Sequence, residues 1–194
     1  MSYRTKLFEA LPLAGSYSYI ENWAGFIKEI RLLQQVGVIE SMRDLWWDAR
    51  PNPGFGTLEI RICDLPFRFS DILAITAIIQ ALVGFLAEET MECQPLDPYI
   101  IQANKWQAAR HGLRGFFVDP TGYLALEKIS CRDAIQLLLR SITPMSVRLG
   151  SEKYFDFTGR IMEEGTGADF LRRRFEESGN FQSVIQSLHR EFWQ

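Results

Sequence analysis

Asp48, Arg50, Glu59 and Arg61 stand on two short segments rich in β-branched and aromatic residues. Members of each pair are two apart, so on a strand both side chains of a pair point the same way. A carboxylate is a hard oxygen ligand suited to Mg²⁺. A guanidinium grips phosphate or carboxylate oxygens with two parallel donors. The combination suits reactions in which negative charge builds on phosphoryl or carboxyl oxygens. The plain alternative is a solvated strand face with cross-strand ion pairs, each worth ~0.2–1 kcal/mol. Two features favour a site. Trp46 shares the face, and an exposed strand face seldom spends a tryptophan on water. Pro51-Asn52-Pro53-Gly54-Phe55-Gly56 is a stiff loop of the kind that positions groups.

The elements that must position these residues follow from periodicity. Residues 45–50 read as a strand with Leu45, Trp47 and Ala49 on one side and Trp46, Asp48 and Arg50 on the other. Residues 56–64 form a second strand, with Leu58, Ile60 and Ile62 facing the core and Thr57, Glu59, Arg61 and Cys63 opposite. The short turn between them implies antiparallel pairing. Residues 1–21 read as irregular. Asn22 caps a helix to about residue 35, closed by Gly37. Ser70 or Asp71 opens a helix over 71–90 that is apolar nearly all round and therefore central. A further helix covers 98–112. Residues 116–118 and 123–126 flank Asp119-Pro120-Thr121-Gly122 as a hairpin. Ser130 caps a helix to about residue 142, with Pro144 after it. The remainder reads as two or three helices broken at 164–167 and 179–180. The expected architecture is one α+β domain over 1–194, a small antiparallel sheet packed with several helices.

Composition narrows the function classes. Of 194 residues, 47% are hydrophobic and 23% charged, as in ordinary globular proteins. The net charge of −3 argues against nucleic acid or an anionic membrane as partner. Cys63, Cys93 and Cys131 form no CxxC pair, and His111 and His189 are far apart, so no zinc pattern exists. Reduced, mostly buried thiols in a cytoplasmic protein are expected. The N-terminus has no apolar segment of signal-peptide type. The uncharged run 72–87 is shorter than the ~20 residues of a membrane span and contains Thr76 and Gln80, so a buried helix is expected. Gly165-Thr166-Gly167 lacks the Lys-Ser/Thr of a phosphate-binding loop and reads as a helix break. Arg172-Arg173-Arg174, followed by Glu176-Glu177, reads as a solvated helix face.

The run from Trp46 through Asp64, WWDARPNPGFGTLEIRICD, resembles the WWDxRPHPxFGTxExRxCD segment of the type 2 glutamate–cysteine ligases, a carboxylate–amine ligase family. Leu7-Phe8-Glu9-Ala10-Leu11-Pro12 with Gly15 is similar to that family's upstream stretch. Asn104, Trp106 and Ala108-Ala109-Arg110-His111-Gly112-Leu113 resemble N-x-W-x-AARYGL. Gly167-Ala168-Asp169 with Arg172 resembles a late Gly-Ala-Asp-x-x-Arg segment.

This resemblance implies a fold like glutamine synthetase, with an antiparallel sheet curved around the site. It implies a reaction in which ATP phosphorylates glutamate and an amine such as cysteine attacks the acyl phosphate. It assigns Mg²⁺ to Glu59, a phosphate or acyl-phosphate oxygen to Arg61, and a similar clamp to Arg50. Asp48 and Asn52 would contact substrate, and Arg110 an anion. Asn52 stands where the family has His, and His111 where it has Tyr; both substitutions bear on the choice of amine. The family's N-terminal half carries an acidic Gly-x-Glu-x-Glu strand that supplies further metal ligands, and no such segment occurs in this sequence. The expectation is therefore a C-terminal half that works as a homo-oligomer or with a complementary N-terminal chain. The rival expectation is a non-catalytic half-enzyme.

Overall fold

The computed structural model describes residues 2–88 and 95–193, so Cys93 lies outside the described residues. Eight α-helices and three two-stranded sheets are present among them, an α+β protein. Two of the sheets are antiparallel and one is parallel. The chain divides into two compact units, residues 2–64 with 95–103, and residues 65–88 with 104–193.

In the first unit, α1 (Tyr3–Glu9) is opened by Ser2, whose hydroxyl accepts from the Thr5 amide at 3.1 Å. This corrects the reading of residues 1–21 as irregular. The helix is too short to show a period, and the turn residues Pro12 and Gly15 follow it. β1 (Ala14–Gly15) pairs in parallel with β2 (Trp46–Trp47). α2 (Trp23–Gln35) begins as expected, with the Asn22 side chain accepting from Gly25 N at 2.9 Å. Gly37, at φ 72°, turns the chain out of it. Phe26 and Ile30 on α2, with Ile39, Leu45 and Trp47, form the core of this unit.

β3 (Ala49–Asn52) and β4 (Thr57–Ile60) pair antiparallel as expected, with Arg50 opposite Glu59, but the single strand expected over 45–50 is split at Asp48 between two sheets, and Pro51 and Asn52, expected in the turn, pair with Leu58 and Thr57. The second strand is shorter than the alternation predicts. The amides of Arg61 and Ile62 both donate to the Asp48 carbonyl, at 2.7 and 3.1 Å. Two residues facing one is the pattern of a β-bulge, which ends regular pairing. Nor is the apolar side expected over 56–64 fully covered, since Leu58 is 49% and Ile62, beyond β4, 37% exposed.

In the second unit, α3 (Phe69–Glu88) packs on α5 (Cys131–Arg148). The buried side of α3 is Ala74, Ala77 and Ala81, small residues that let the helices approach closely. A Cβ on Gly84 would come within 3.1 Å of Met145. The helix is not buried all round, because Val83 and Leu86 are exposed. At 20 residues and a mean hydropathy of 2.0, α3 meets the length and composition of a membrane span, longer than its uncharged run suggested.

Pro144 lies inside α5 rather than after it. Proline removes one helix hydrogen bond, but Ile142, Met145 and Ser146 on the same turn are buried, and that packing carries the helix to Arg148. α4 (Pro98–His111) ends near its expected residue. β5 (Phe116–Phe117) pairs with β6 (Ile129–Ser130), not with residues 123–126. The reason is local. The Asp119 carboxylate accepts from Thr121 N and Leu124 N, so the segment closes on itself as a wide turn. α6 (Asp156–Glu164), α7 (Gly167–Ser178) and α8 (Phe181–Glu191) break where the sequence indicated.

Candidate functional site

The β3–β4 hairpin brings Arg50, Asn52, Glu59 and Arg61 onto one carboxylate. Glu59 Oε2 accepts from Arg50 at 2.7 Å and from Arg61 at 3.2 Å. Glu59 Oε1 accepts from the Asn52 amide at 3.1 Å. These bonds favour the ionised form, so the carboxyl is held below its usual range. The Asn52 bond contributes most, then Arg50, while burial opposes and Arg61 adds a smaller effect. Glu59 brings one negative charge to the two guanidiniums that grip it, and the carboxylates of Asp48 and Glu9 line the cleft beside Arg61.

The two arginines are held differently. The second terminal nitrogen of Arg50 donates to the carbonyls of Leu45, Arg43 and Met42 at 3.0, 3.1 and 3.4 Å. These belong to the short 3₁₀ turn over Met42–Asp44 and the residue that follows it. Its side chain is only 12% exposed. Arg50 is thus a staple between that turn and Glu59. Arg61 is more open, and its guanidinium lies over the Trp46 ring at 5.1 Å. Trp46 packs in turn against Phe8 of α1 at 5.4 Å, and Arg4 lies over Phe8 at 4.7 Å. Arg4 also donates to the Arg61 carbonyl at 3.3 Å. A small cleft there is lined by Arg4, Thr5, Trp46, Asp48 and Arg61. Arg4 and Phe8 were not singled out as site residues from sequence; Phe8 lies in the Leu-Phe-Glu-Ala-Leu-Pro run, which was their one signal.

Asp48 sits at the junction of β2 and β3 and lines this cleft, with its carbonyl making the bulge. Arg110 is exposed in the last turn of α4, in the second unit. His111 beside it is an exposed helix-end residue whose ring meets the Trp106 edge at 5.3 Å. Other motif residues have architectural work. Asn104 exchanges two hydrogen bonds with the Val118 backbone, at 2.8 and 3.0 Å. Thr166 and Asp169 form the capping box of α7, and Arg172 donates to Asp169 at 2.6 Å. Cys131 is buried, whereas Cys63 is exposed, contrary to the expectation of mostly buried thiols.

Toward a magnesium ion the hairpin offers one carboxylate, Glu59, and magnesium is commonly held by one or two carboxylates with water and substrate phosphates completing its shell. Glu59 Oε2 already serves two guanidiniums, and Oε1 retains one lone pair. Among the described residues, no group of three His, Cys, Asp or Glu side chains converges. Magnesium requires near-octahedral oxygen ligation.

The family model described as glutamate–cysteine ligase family 2 matches residues 1–187. The chain belongs to this family. A Gloeobacter violaceus relative named "Putative glutamate–cysteine ligase 2" is 37% identical over 190 residues, 96% of this chain and 50% of its own length. A Solibacter usitatus relative of the same name is 34% identical over 193 residues, 98% of this chain and 49% of its own. A Herpetosiphon aurantiacus relative is 32% identical, again over 98% and 49%. The chain therefore spans about half the length of the curated family members it matches.

Proposed function

We propose that this chain contributes the anion-handling wall of an ATP-dependent carboxylate–amine ligase, with glutamate and an amine such as cysteine as substrates. The observation that carries this reading is the Arg50–Glu59–Arg61 cluster, two guanidiniums on one carboxylate. In the proposed reaction a glutamate carboxylate oxygen attacks the γ-phosphorus of ATP and ADP leaves. The amine then attacks the acyl carbon and expels phosphate. Both steps place charge on phosphoryl oxygens, where a guanidinium stabilises it. Arg61 is the contact residue, because it is the more open of the two. Arg50 acts through Glu59 and is a positioning residue. Asp48 and Asn52 are substrate contacts in the first unit, and Arg110, in the second unit, is assigned an anion contact by the resemblance of its own motif alone.

A second reading is favoured by the half-length match and by the single carboxylate of the cluster. In it the chain is a subunit, and the ligands for Mg²⁺ come from a second copy or another chain. ADP release by the purified chain with Mg²⁺, ATP and glutamate, with and without cysteine, separates the readings. Amine-dependent ADP formation that is abolished by Arg61→Ala supports catalysis by this chain. A folded chain without turnover supports the subunit reading.

A further inference from the structure

Arg61 is the more open guanidinium of the hairpin cluster. A long, open side chain loses rotamer freedom when it grips an anion, and that cost falls when the group is already aimed. A chain of contacts ends on this group. Arg4 lies over the Phe8 ring at 4.7 Å, Phe8 packs on Trp46 at 5.4 Å, and the Arg61 guanidinium lies over Trp46 at 5.1 Å. The order is cation, ring, ring, cation, and the last cation donates to Glu59 at 3.2 Å. The chain also closes on itself, because Arg4 donates to the Arg61 carbonyl at 3.3 Å.

The backbone fixes each end of this stack. Phe8 lies on α1, which Ser2 caps. Trp46 is set by the pairing of β2 with β1, and its amide donates to the Leu13 carbonyl at 2.9 Å. The Arg61 amide donates to the Asp48 carbonyl at 2.7 Å. Trp46 remains 44% exposed, so its ring serves the guanidinium more than the core. All of these residues belong to the first unit. We propose that Phe8 and Trp46 are positioning residues that hold the Arg61 guanidinium aimed for an incoming anion, with α1 as the element that backs them. The proposal rests on the ligase reading, in which Arg61 is the anion contact. Neither ring is charged, so removing one changes the aim of Arg61 and leaves the charge of the cleft as it was.

The test pairs calorimetric binding of inorganic tripolyphosphate to the full chain with the nuclear magnetic resonance signal of the Arg61 Nε–Hε group, assigned by its loss in Arg61→Ala. A ring beside a proton shifts its resonance, so the signal reports whether the stack is in place. Trp46→Leu is expected to weaken tripolyphosphate about two- to fivefold, the range of an exposed cation–π contact, and to move the signal. Phe8→Leu is expected to act in the same direction on both, while Trp46→Phe keeps most of the affinity. Far-ultraviolet circular dichroism verifies the fold, and if Trp46→Leu fails to fold, Phe8→Leu decides by the same criteria. Unchanged affinity in the folded leucine variant, with Arg61→Ala still weakening the probe, overturns the positioning role and leaves the ligase reading standing. Weaker binding with an unmoved Arg61 signal also overturns it, since the ring then does not act through Arg61. No binding by wild type, or binding indifferent to Arg61→Ala, overturns the positioning role and the anion contact of the ligase reading together.

Discussion

Arg50→Ala is the most informative single change, because it separates support from chemistry. The side chain is 12% exposed and its guanidinium serves three backbone carbonyls as well as Glu59. Two of the carbonyl bonds, at 3.0 and 3.1 Å, have good geometry, and the third, at 3.4 Å, is weak. A hydrogen bond to a charged group contributes about 1.5–3 kcal/mol net, and a buried acceptor left without its donor costs about 1–3 kcal/mol. Partial access of water to the 3₁₀ turn lowers that, so the expected loss is about 2–4 kcal/mol. Against a typical stability of about 5–15 kcal/mol this is large. Arg50→Lys is expected to recover less than half of the loss, because one ammonium cannot span the carbonyls and the carboxylate together. Urea unfolding followed by tryptophan fluorescence measures it, since Trp46 and Trp47 lie beside the affected turn. With a slope of about 2 kcal/mol per molar urea, the midpoint falls by about 1–2 M. A midpoint within about 0.3 M of wild type refutes the staple, and Arg50 would then be free for a direct substrate role.

Other expectations follow from the same reasoning. Asp169 is held well below the usual carboxylate range. Burial alone would raise it, but the Thr166 hydroxyl and amide, the Arg172 guanidinium and the Arg114 charge together outweigh that. Its contribution is fully present above the unfolded value of about 3.9 and is lost as pH falls toward the folded value. Asp169→Asn should therefore lower stability by about 1 kcal/mol at neutral pH, as expected for a helix cap, and flatten the acid limb of a thermal-melt series. Leu45 has no exposed surface and lies in the first unit's core, so Leu45→Ala should cost about 2.5–5 kcal/mol in chemical denaturation. A Cβ on Gly115 would meet the Gln107 carbonyl oxygen at 2.7 Å, so Gly115→Ala should cost about 1–3 kcal/mol and be visible as a lower melting temperature.

What sequence revealed and what it did not divides along physical lines. That Arg50 and Glu59 share one face of two adjoining antiparallel strands was legible from strand alternation and the short turn, whereas the register that sets them directly opposite came from the structure. The Asn22 cap and the breaks near Gly165 and Gly179 were legible because those residues act locally. α1 was missed because seven residues carry too little period. The parallel pairing of β1 with β2 is a long-range contact of two residues each and leaves no local signal. Pro144 misled because packing against α3 outweighed one lost hydrogen bond. Within the site, residue types were legible but their division of labour was not. Nothing in the order of residues tells that Arg50 spends itself on carbonyls while Arg61 rests open on Trp46. The motifs around Asn104 and Asp169 likewise turn out to shape the backbone.

The most direct test of the ligase reading is oxygen transfer. Glutamate labelled with ¹⁸O in its side-chain carboxylate would be incubated with the chain, Mg²⁺, ATP and cysteine, and inorganic phosphate analysed by mass spectrometry. An acyl phosphate passes one carboxylate oxygen to phosphate, so the account predicts one ¹⁸O in phosphate for each amide formed. Phosphate without label, or no amide from a folded chain, would contradict catalysis by this route.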